Sequence, residues 1–282
     1  MTTKTVLITG CSSGIGKLAA QTFHARGWNV AATMRTPERE TELTQLDRML
    51  VTQLDVTDAS SIQHAVDATV SKFGQIDALV NNAGYGGFAL FEQESDDSAR
   101  ALFDTNVFGL MNVTQAILPA MRHRGDGTII NITSMAGLLG FPTASVYVAS
   151  KHAVEGLTES LALEYEPFGV RFRTVAPGAY PTTRFGENTH DFLGAGDEQL
   201  VAHAASLREH IDSLVQTMTM QSGSPADPQE VADKIYDCAT TDMPVHNPVG
   251  ADATNLYSMM GGDGRQDFVN HLKQMVMPHQ TA

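Results

Sequence analysis

The stretch that decides the fold is Thr9-Gly10-Cys11-Ser12-Ser13-Gly14-Ile15-Gly16, which follows the apolar run Val6–Ile8. An amphipathic segment, Gly14–Arg26, comes directly after it, so the glycines stand where a strand turns into a helix. Gly10 permits a tight turn, while Gly14 and Gly16 let backbone amides approach a pyrophosphate. The alternative is a glycine-rich turn without a ligand. The placement favours a dinucleotide-binding loop formed by Gly10, Ser12, Ser13, Gly14, Ile15 and Gly16.

Short apolar runs alternate with longer amphipathic segments along the first part of the chain. The predicted strands are Thr5–Thr9, Trp28–Met34, Met49–Leu54, Ile76–Asn81, Gly127–Thr133 and Val170–Val175. The predicted helices are Gly14–Arg26, Pro37–Leu46, Ala59–Phe73, Asp97–His123 and Val146–Glu166. Apolar strands separated by crossover helices are typical of a parallel sheet that is covered on both faces. We therefore predict an α/β fold, a doubly wound parallel (Rossmann) sheet flanked by helices, with ligands at the carboxyl ends of its strands.

The regular alternation changes after Pro177. Tyr180–Gln221 is expected to be a largely helical insertion, a substrate lid near the C-terminus. The segments expected after it are a helix Asp227–Thr240, a strand Val245–Ala251 and a helix Asp263–Met275. Since no linker rich in Gly, Pro or Ser interrupts the chain, residues 1–282 are predicted to form a single domain. Its parts are a cofactor-binding core (1–176), a substrate loop and lid (177–225) and a C-terminal elaboration (226–282).

Composition and charge exclude several classes of protein. The formal net charge of −14 over 282 residues argues against nucleic-acid or anionic-membrane partners, which require basic patches. The run Val6–Ile8 is too short for a signal-peptide core or a membrane span. Cys11 and Cys238 are too few for a disulfide framework, and the ten histidines lack metal-ligand spacing. We expect a cytoplasmic protein that binds no metal, no nucleic acid and no membrane.

Three polar residues indicate proton transfer. Tyr147 and Lys151 are four residues apart in a predicted helix, so their side chains share a face. A phenol has a pKa near ~10 in water, and a neighbouring ammonium is expected to lower the pKa of Tyr147 toward neutrality. Ser134 follows a predicted strand, where its hydroxyl can hold a substrate oxygen. Each residue alone also has a structural explanation, in helix packing or turn capping. Together, behind a dinucleotide loop, they indicate general acid–base chemistry.

Further motifs give the chain a family resemblance. They are Asn81-Asn82-Ala83-Gly84, Asn106, Ser134, Tyr147-Val148-Ala149-Ser150-Lys151 and Pro177-Gly178. Taken in this order with the glycine loop, which has the spacing T-G-x-x-x-G-x-G, they resemble the short-chain dehydrogenase/reductase family as far as Pro177-Gly178. A looser likeness continues to Ala253. The resemblance implies a nicotinamide-dependent oxidoreductase in which Tyr147 donates or removes the proton on the substrate oxygen.

The resemblance also implies roles for residues around the site. Asn106 would stabilise a helix kink and a water that links Lys151 to solvent, and Lys151 would also bind the nicotinamide ribose. The remaining cofactor contacts implied are Asp55 and Val56 at the adenine, Asn82, Ala83 and Gly84 at the adenosine ribose, and Pro177, Gly178 and Thr182 at the nicotinamide or phosphates. Two of these residues have structural alternatives, since Asp55 can cap a turn and Gly84 can supply an unusual backbone angle.

The end of the second predicted strand indicates which nicotinamide is preferred. In dinucleotide folds an acidic residue there binds the ribose of NAD, whereas an arginine accommodates the 2′-phosphate of NADP. Met34 and Arg35 stand at this position, and no carboxylate occurs between Val30 and Thr36. A guanidinium suits a phosphate because its fork matches two oxygens. We predict NADP(H) as cofactor. The alternative is that Arg35 is simply an exposed surface residue.

The substrate is less well defined by the sequence. Position in the chain makes the pocket mostly apolar, with the candidates Leu138, Leu139, Phe141, Tyr180 and Phe185. The late stretch Val245–Ala253 resembles the subfamily of hydroxysteroid and retinol dehydrogenases and bacterial ketoreductases. That likeness implies a hydrophobic ketone or secondary alcohol.

Three functional hypotheses follow. The first is an NADPH-dependent carbonyl reductase. The second is an NADP-dependent dehydrogenase of a hydroxysteroid-like or other lipophilic alcohol. The third is a non-catalytic dinucleotide-binding regulator, whose signature would be a broken Tyr147–Lys151 pair. The family resemblance further implies a homodimer or homotetramer, built by pairing of the Asp97–His123 and Val146–Glu166 helices across a two-fold axis.

Overall fold

The structure, a computed structural model, describes residues 3–221 and 226–260. Its strands are β1 Thr5–Ile8, β2 Asn29–Met34, β3 Met49–Gln53, β4 Ala78–Asn81, β5 Gly87–Phe88, β6 Gly127–Ile132, β7 Val170–Pro177, β8 His190–Asp191 and β9 His246–Val249. Its helices are α1 Gly14–Ala25, α2 Ala59–Phe73, α3 Asp96–Phe103, α4 Leu110–Arg124, α5 Ser145–Tyr165, α6 Glu198–Gln221, α7 Gln229–Thr240 and α8 Ala251–Met260. A π-helical turn, Asp104–Gly109, joins α3 to α4.

One parallel sheet organises the described residues, with the strand order β3-β2-β1-β4-β6-β7-β9. Helices α1 and α7 cover one face around Phe23 and Ile235, which are fully buried. Helices α2 and α4, with the end of α5, cover the other face around Ile117 and Phe172. Strand order reverses between β1 and β4, which opens a crevice beyond their carboxyl ends. The predicted doubly wound fold and single domain are confirmed.

The predicted helix Pro37–Leu46 is wrong. The segment forms two short 3-10 turns, Pro37–Arg39 and Leu43–Gln45, with extended backbone at Glu40 between them. The Glu40 carboxylate accepts hydrogen bonds from the backbone amides of Glu42 and Leu43, at 2.8 and 2.9 Å. These local bonds compete with the helical pattern, and they interrupt it at that residue.

The long helix predicted over Asp97–His123 is present but interrupted. Its middle turn, Asp104–Gly109, is π-helical, and Gly109 packs tightly against Val56. Such bulges are concentrated at functional sites. The bulge contains Asn106, the residue that the family resemblance connects with a helix kink.

The predicted lid is helical only in its second half. Residues 180–197 form turns, the short 3-10 helix Gly186–Asn188 and the strand β8, which pairs in parallel with β5. Helix α6 begins at Glu198. Strand β9 confirms the strand predicted over Val245–Ala251. Helix α8 had no counterpart in the sequence prediction. The predicted helix Asp263–Met275 lies outside the described residues. Among the described residues, no helix has the length and apolar character that crossing a membrane requires.

Candidate active site

The loop between β1 and α1 has the geometry of an anion-binding turn. Gly10 has a φ of +74°, where a side chain would be strained, and a Cβ there would lie 2.9 Å from the Ala83 Cα. A Cβ on Gly16 would overlap the Asn82 amide and the Gly10 carbonyl oxygen. Ser13 precedes α1 without a side-chain capping bond, which leaves amides at the helix N-terminus able to receive an anion. The cradle therefore fits a dinucleotide pyrophosphate.

Asn82 fastens this loop to the end of β4. Its side-chain amide donates to the carbonyl oxygens of Thr9 and Gly10, at 2.9 and 3.1 Å. The Thr9 hydroxyl in turn accepts from the backbone amides of Asn82 and Ala83, both at 3.0 Å. Asn82 and Ala83 thus hold the crevice in shape. Because the Asn82 amide is engaged with the loop, its direct role here is structural.

The end of β2 presents Arg35 to solvent. Gln53 donates to the Arg35 carbonyl oxygen at 3.2 Å, and the side chain is exposed. The acidic neighbour Glu40 points elsewhere, since Lys17 binds its carboxylate at 3.1 Å. Burial acts to raise the pKa of Glu40, but hydrogen bonds from Leu43 and Lys17 outweigh it and keep the pKa low. Within the described part of the chain, β2 ends at Met34 and is followed by Arg35, and the sequence has no carboxylate between Val30 and Thr36.

Ser134 and Tyr147 meet at the carboxyl end of β6. Ser134 has extended backbone, and its hydroxyl accepts from the Ala136 amide at 3.1 Å. The Ser134 hydroxyl lies close enough to the Tyr147 phenol to act as its hydrogen-bond partner. Burial raises the pKa of Tyr147 to about 12, and only the bond with Ser134 works in the opposite direction. The expected lowering of the Tyr147 pKa by Lys151 is absent in the protein alone.

Lys151 lies one helical turn after Tyr147 on α5. Its Nζ donates to the carbonyl oxygen of Ile132 at 2.9 Å and stands 5.8 Å from the centroid of the Tyr147 ring. The side chain is 7% exposed. Burial lowers the pKa of Lys151 to about 8, against the opposing charge of Glu155. Lys151 is therefore mainly an ammonium at neutral pH, and it loses its proton as the pH rises through about 8.

Asn106 connects the π-helical turn with the loop after β4. Its amide oxygen accepts from the Tyr85 backbone amide at 3.1 Å, and its amide nitrogen donates to the Tyr85 carbonyl oxygen at 2.9 Å. The same nitrogen reaches the Ser150 hydroxyl at 3.3 Å, and Ser150 donates to the carbonyl oxygen of Tyr147 at 2.7 Å. A Cβ on Gly84 would stand 2.9 Å from the Asn106 oxygen and 3.8 Å from the Lys151 Nζ. These contacts bring Asn106 and Gly84 beside Lys151.

Two other predicted cofactor residues lie at the end of β3. The Asp55 carboxylate accepts from the amide and the hydroxyl of Thr57, at 2.9 and 2.7 Å, so it caps the turn before α2. Val56 is buried and packs against Gly109. Both therefore have structural tasks in addition to any contact with an adenine. Asn81 is buried and donates to Thr114 and Asn131, so its side chain has a structural role.

The loop after β7 is anchored by the C-terminal elaboration. The Asp252 carboxylate accepts from the Ala179 amide at 2.8 Å, and a Cβ on Gly178 would overlap that carboxylate. Thr182 is exposed, whereas its neighbour Thr183 packs toward the glycine loop, 3.8 Å from where a Cβ on Gly14 would be. Thr183 was missed by sequence reasoning, because adjacent threonines in a turn give no periodic signal.

The five candidate substrate residues are placed unequally. Leu138 and Leu139 are buried after Ser134, and Phe141 is half-buried. Phe185 is 42% exposed, and its ring centroid lies 5.8 Å from that of Tyr147. Tyr180 is instead part of the core beside α7 and donates from its hydroxyl to Glu230 at 2.8 Å. Phe185 is thus the candidate substrate residue that the structure brings beside Tyr147.

The lid is attached to the loop after β4. The Gln93 amide nitrogen donates to the carbonyl oxygens of Leu193 and Ala195, at 2.9 and 2.8 Å, and its oxygen accepts from Leu90. Tyr85 stacks on His190 of β8, with ring centroids 4.8 Å apart. Sequence reasoning missed Tyr85 and Gln93, and only the Tyr85 position directly after Asn-Asn-Ala-Gly offered a signal.

A surface groove of about 760 Å³ lies between residues 191–194 and α6, and its lining includes Arg208 and Asp212. It holds none of the three reaction-centre residues. Among residues 3–221 and 226–260, no group of His, Cys, Asp or Glu side chains has the arrangement of a metal site.

Comparisons with known proteins agree with this geometry. The chain matches the short chain dehydrogenase family over residues 4–192. It is 43% identical over 249 residues to uncharacterized oxidoreductase YusZ of Bacillus subtilis (strain 168). The aligned region covers 85% of this chain and 86% of that protein. It is 41% identical over 205 residues to 3-ketodihydrosphingosine reductase of Bacteroides thetaiotaomicron, with 72% and 74% of the two chains covered.

Solved structures are similar over most of the chain. A short-chain dehydrogenase from Streptomyces avermitilis has a TM-score of 0.82 and 33% identity, with 97% of this chain and 96% of that one covered. ElxO with NADP bound has a TM-score of 0.72 and 29% identity, covering 90% and 99%. The 3-ketoacyl-(acyl-carrier-protein) reductase from Brucella melitensis complexed with NADH has a TM-score of 0.72 and 25% identity, covering 88% and 97%.

The fold and the site define a nicotinamide-type oxidoreductase, and the chain belongs to the short-chain dehydrogenase/reductase family. Enzymes of this family bind a nicotinamide dinucleotide and act on small molecules, and they often form oligomers.

Proposed function

We propose that the protein is an NADPH-dependent carbonyl reductase that converts a hydrophobic ketone to a secondary alcohol, with Tyr147 as the general acid. The observation that carries this proposal is the contact between the Ser134 and Tyr147 side chains, with the Lys151 Nζ 5.8 Å from the Tyr147 ring. These groups converge at the carboxyl end of a parallel sheet, where ligands bind in this fold.

The protonation state of Tyr147 suits the role of proton donor in reduction. A phenol whose pKa is about 12 keeps its proton at neutral pH, so it is ready to donate to a carbonyl oxygen. The reverse reaction needs a phenolate, which burial disfavours.

Each residue has a distinct task in this scheme. The bound nicotinamide supplies a hydride to the carbonyl carbon. Ser134 donates a hydrogen bond to the carbonyl oxygen, a bond that strengthens as negative charge develops there. Lys151 would hold the nicotinamide ribose, and in its ammonium form it would return a proton to Tyr147. Asn106, hydrogen-bonded to Tyr85 and Ser150, orders the path by which Lys151 is reprotonated.

The proposed cofactor is NADP(H), bound along the carboxyl edge of the sheet. The supporting feature is the exposed Arg35 guanidinium at the end of β2, with Glu40 withdrawn to Lys17. When phosphate oxygens take the place of water around a guanidinium, the guanidinium donates charge-assisted hydrogen bonds to them. The other proposed contacts are Gly10, Ser12, Ser13, Gly14, Ile15, Gly16, Asp55, Val56, Asn82, Ala83, Gly84, Tyr147, Lys151, Pro177, Gly178 and Thr182.

For the substrate we propose an apolar pocket between the Ser134 loop and the lid. Leu138, Leu139, Phe141 and Phe185 are its apolar side chains, and the position of Phe185 near Tyr147 supports this assignment. Tyr180 would serve by holding the loop in place through Glu230. Residues 1–176 would then bind cofactor and carry the reaction, 177–225 would cover the substrate, and 226–282 would support that cover.

A panel of ketones tests the proposal. Oxidation of NADPH and of NADH is followed with aliphatic, aromatic and steroid ketones, and the alcohols formed are resolved by chiral chromatography. We expect turnover with NADPH on at least one apolar ketone. Faster oxidation of lipophilic alcohols than reduction of their ketones at pH 7 would favour the dehydrogenase. Cofactor binding without turnover on any carbonyl would favour a regulator.

We also propose that the protein associates through α4, α5 and the turn between α3 and α4. Phe108 and Leu163 are large apolar side chains on this side of the molecule and are 52% and 75% exposed. Members of the family often form oligomers, and these two side chains would supply apolar surface for such a contact. Native mass spectrometry should give a dimer or tetramer, and Leu163→Glu should shift it toward the monomer. A monomeric parent protein would contradict this.

A further inference from the structure

Glu155 is a buried carboxylate that the proposed reaction does not use. It lies on α5 one helical turn after Lys151 and is 5% exposed. Buried glutamates are rare unless they are paired, because an ionised carboxylate is costly to remove from water. Its partners therefore need to be identified.

Two side chains hold the Glu155 carboxylate. The Thr133 hydroxyl donates to its Oε1 at 2.5 Å, and Nδ1 of His246 lies 2.8 Å from its Oε2. The other ring nitrogen of His246 lies 2.9 Å from an oxygen of Glu159. Since an ionised carboxylate only accepts hydrogen bonds, contacts at both ring nitrogens favour the imidazolium form. Hydrogen bonding with Glu155 accordingly raises the pKa of His246.

The other contacts that His246 makes within residues 3–221 and 226–260 are with uncharged side chains. The Thr174 hydroxyl of β7 lies 3.5 Å from its Nδ1, and the Tyr257 ring of α8 lies 6.4 Å from the imidazole ring, between centroids. The charged groups that contact His246 from α5 are Glu155 and Glu159. Together with Lys151 these residues form one set of charged groups. Lys151 and His246 are the cations of this set, and Glu155 and Glu159 are its anions. The set runs from Glu159 at the protein surface to Lys151 at the reaction centre.

Glu155 and Lys151 are held by adjacent residues of the chain. Lys151 donates to the carbonyl oxygen of Ile132, and Thr133 donates to Glu155. Gly137 packs against both residues. A Cβ on Gly137 would stand 3.1 Å from the Glu155 Cγ and 3.1 Å from the main-chain oxygen of Lys151. Side chains four residues apart on a helix have Cβ atoms about 5–6 Å apart. Glu155 and Lys151 therefore share a buried face of α5, where charges act on each other more strongly than they do in water.

We propose that Glu155 is a positioning residue for the reaction, whose carboxylate, fixed between Thr133 and His246, keeps Lys151 in its ammonium form beside Tyr147. Burial alone works against that form, and Glu155 is the charged group that opposes it. The significance for turnover rests on the proposed function, since it requires Lys151 to act in catalysis. The electrostatic arrangement does not depend on catalysis and can be measured without cofactor or substrate.

The first test is an NMR titration of lysine labelled with ¹³C at Cε, with the Lys151 signal identified by its loss in Lys151→Met. The titration midpoint of Lys151 is expected at about 8 in the parent protein. Glu155→Gln keeps the side-chain shape but removes the charge, so the midpoint should fall by about one pH unit. Glu159→Gln is the matched control, because it removes the 59% exposed carboxylate on the other side of His246 and should leave the midpoint unchanged. An unchanged midpoint in Glu155→Gln, or an equal fall in both variants, would overturn the proposal.

A second test uses the unaltered protein, so it does not require Glu155→Gln to fold. With ¹³C at the glutamate Cδ, the Glu155 signal should be that of a carboxylate at pH 7, and a protonated Glu155 would overturn the proposal.

The pH profile of kcat separates this proposal from the proposed function. In Glu155→Gln the alkaline limb should move to lower pH by as much as the NMR midpoint, and Glu155→Asp, which restores the charge, should largely reverse it. If the NMR midpoint falls while the profile stays, Glu155 does control the charge of Lys151. What fails in that case is the catalytic role proposed for Lys151.

Discussion

Lys151 donates a hydrogen bond to the main-chain oxygen of Ile132 at 2.9 Å, two residues before Ser134 in the same chain segment. Tyr147, one helical turn before Lys151, lies close enough to the Ser134 hydroxyl for that hydroxyl to lower its pKa. The end of β6 therefore orients both members of the Tyr147–Lys151 pair with respect to each other. Because one strand end holds both side chains, their geometry is defined before any ligand arrives, and preorganisation of this kind is what general acid catalysis requires.

Replacing the acid should remove most turnover. In Tyr147→Phe, kcat for ketone reduction is expected to fall by about 10²–10⁴-fold, because the proton donor is lost while the ring remains. Binding of NADPH, measured by fluorescence titration, should change little. Tyr165→Phe is the matched control, since Tyr165 lies at the far end of α5 and packs against Phe168 and Phe172. Near-normal kcat in Tyr147→Phe would exclude its assignment as the acid.

Reversing the charge at the end of β2 should change cofactor choice. In Arg35→Asp, kcat/KM with NADPH is expected to fall by about 10- to 100-fold, in line with the ~1.5–3 kcal/mol of hydrogen bonds to charged groups. Efficiency with NADH should stay or rise, since a carboxylate suits a free ribose hydroxyl. Arg100→Asp makes the same charge change on α3, where Arg100 pairs with Asp96, and should alter neither value. Unchanged NADPH efficiency in Arg35→Asp would rule out a phosphate contact.

A methyl group in the glycine loop should damage both stability and cofactor binding. A Cβ on Gly16 would meet the Gly10 carbonyl oxygen and the Asn82 amide, which hold the loop to β4. Gly16→Ala is expected to lower the thermal unfolding midpoint and to weaken NADPH binding, measured by calorimetry. Gly156→Ala is the control on an exposed turn of α5, where nothing crowds the position. It should stabilise the protein by roughly 0.5–1 kcal/mol. Equal effects of the two changes would contradict the close approach in the loop.

The His246 contacts should make stability depend on pH. The pKa of His246 is raised above its usual value of 6.5, first by hydrogen bonding with Glu155. Its contribution to the free energy of unfolding is therefore fully present below pH 6.5 and is lost as pH rises through the raised pKa. Urea unfolding of the parent protein and of His246→Gln should show a difference that shrinks with rising pH. In a Glu155→Gln background the same comparison should depend less on pH, and an identical dependence in both backgrounds would argue against the coupling.

The strands and the glycine loop could be predicted from the chemical character of neighbouring residues. The strands of the sheet were predicted because buried parallel strands are almost wholly apolar, and the glycine loop because a strand followed by T-G-x-x-x-G-x-G has few other uses. The errors arise from hydrogen bonds of single side chains, which the reading of hydrophobic patterns does not take into account. Glu40 binds the amides of Glu42 and Leu43 and stops a helix that periodicity favours. Asn106 binds both backbone groups of Tyr85 and lies in a π-helical turn.

The sequence by itself was enough to predict the fold and to single out Ser134, Tyr147 and Lys151 as the candidate reaction centre. Periodicity and motif spacing, on which both predictions depend, are properties of neighbouring residues. Tertiary structure decided how these groups are charged. The pKa of Tyr147 rises and that of Lys151 falls because both are buried, which depends on segments far apart in the chain. The contact of His246 with Glu155 spans 91 residues and forms only because β9 adds to the sheet beside β7. Such contacts have no counterpart in local sequence, since they depend on the order of the strands.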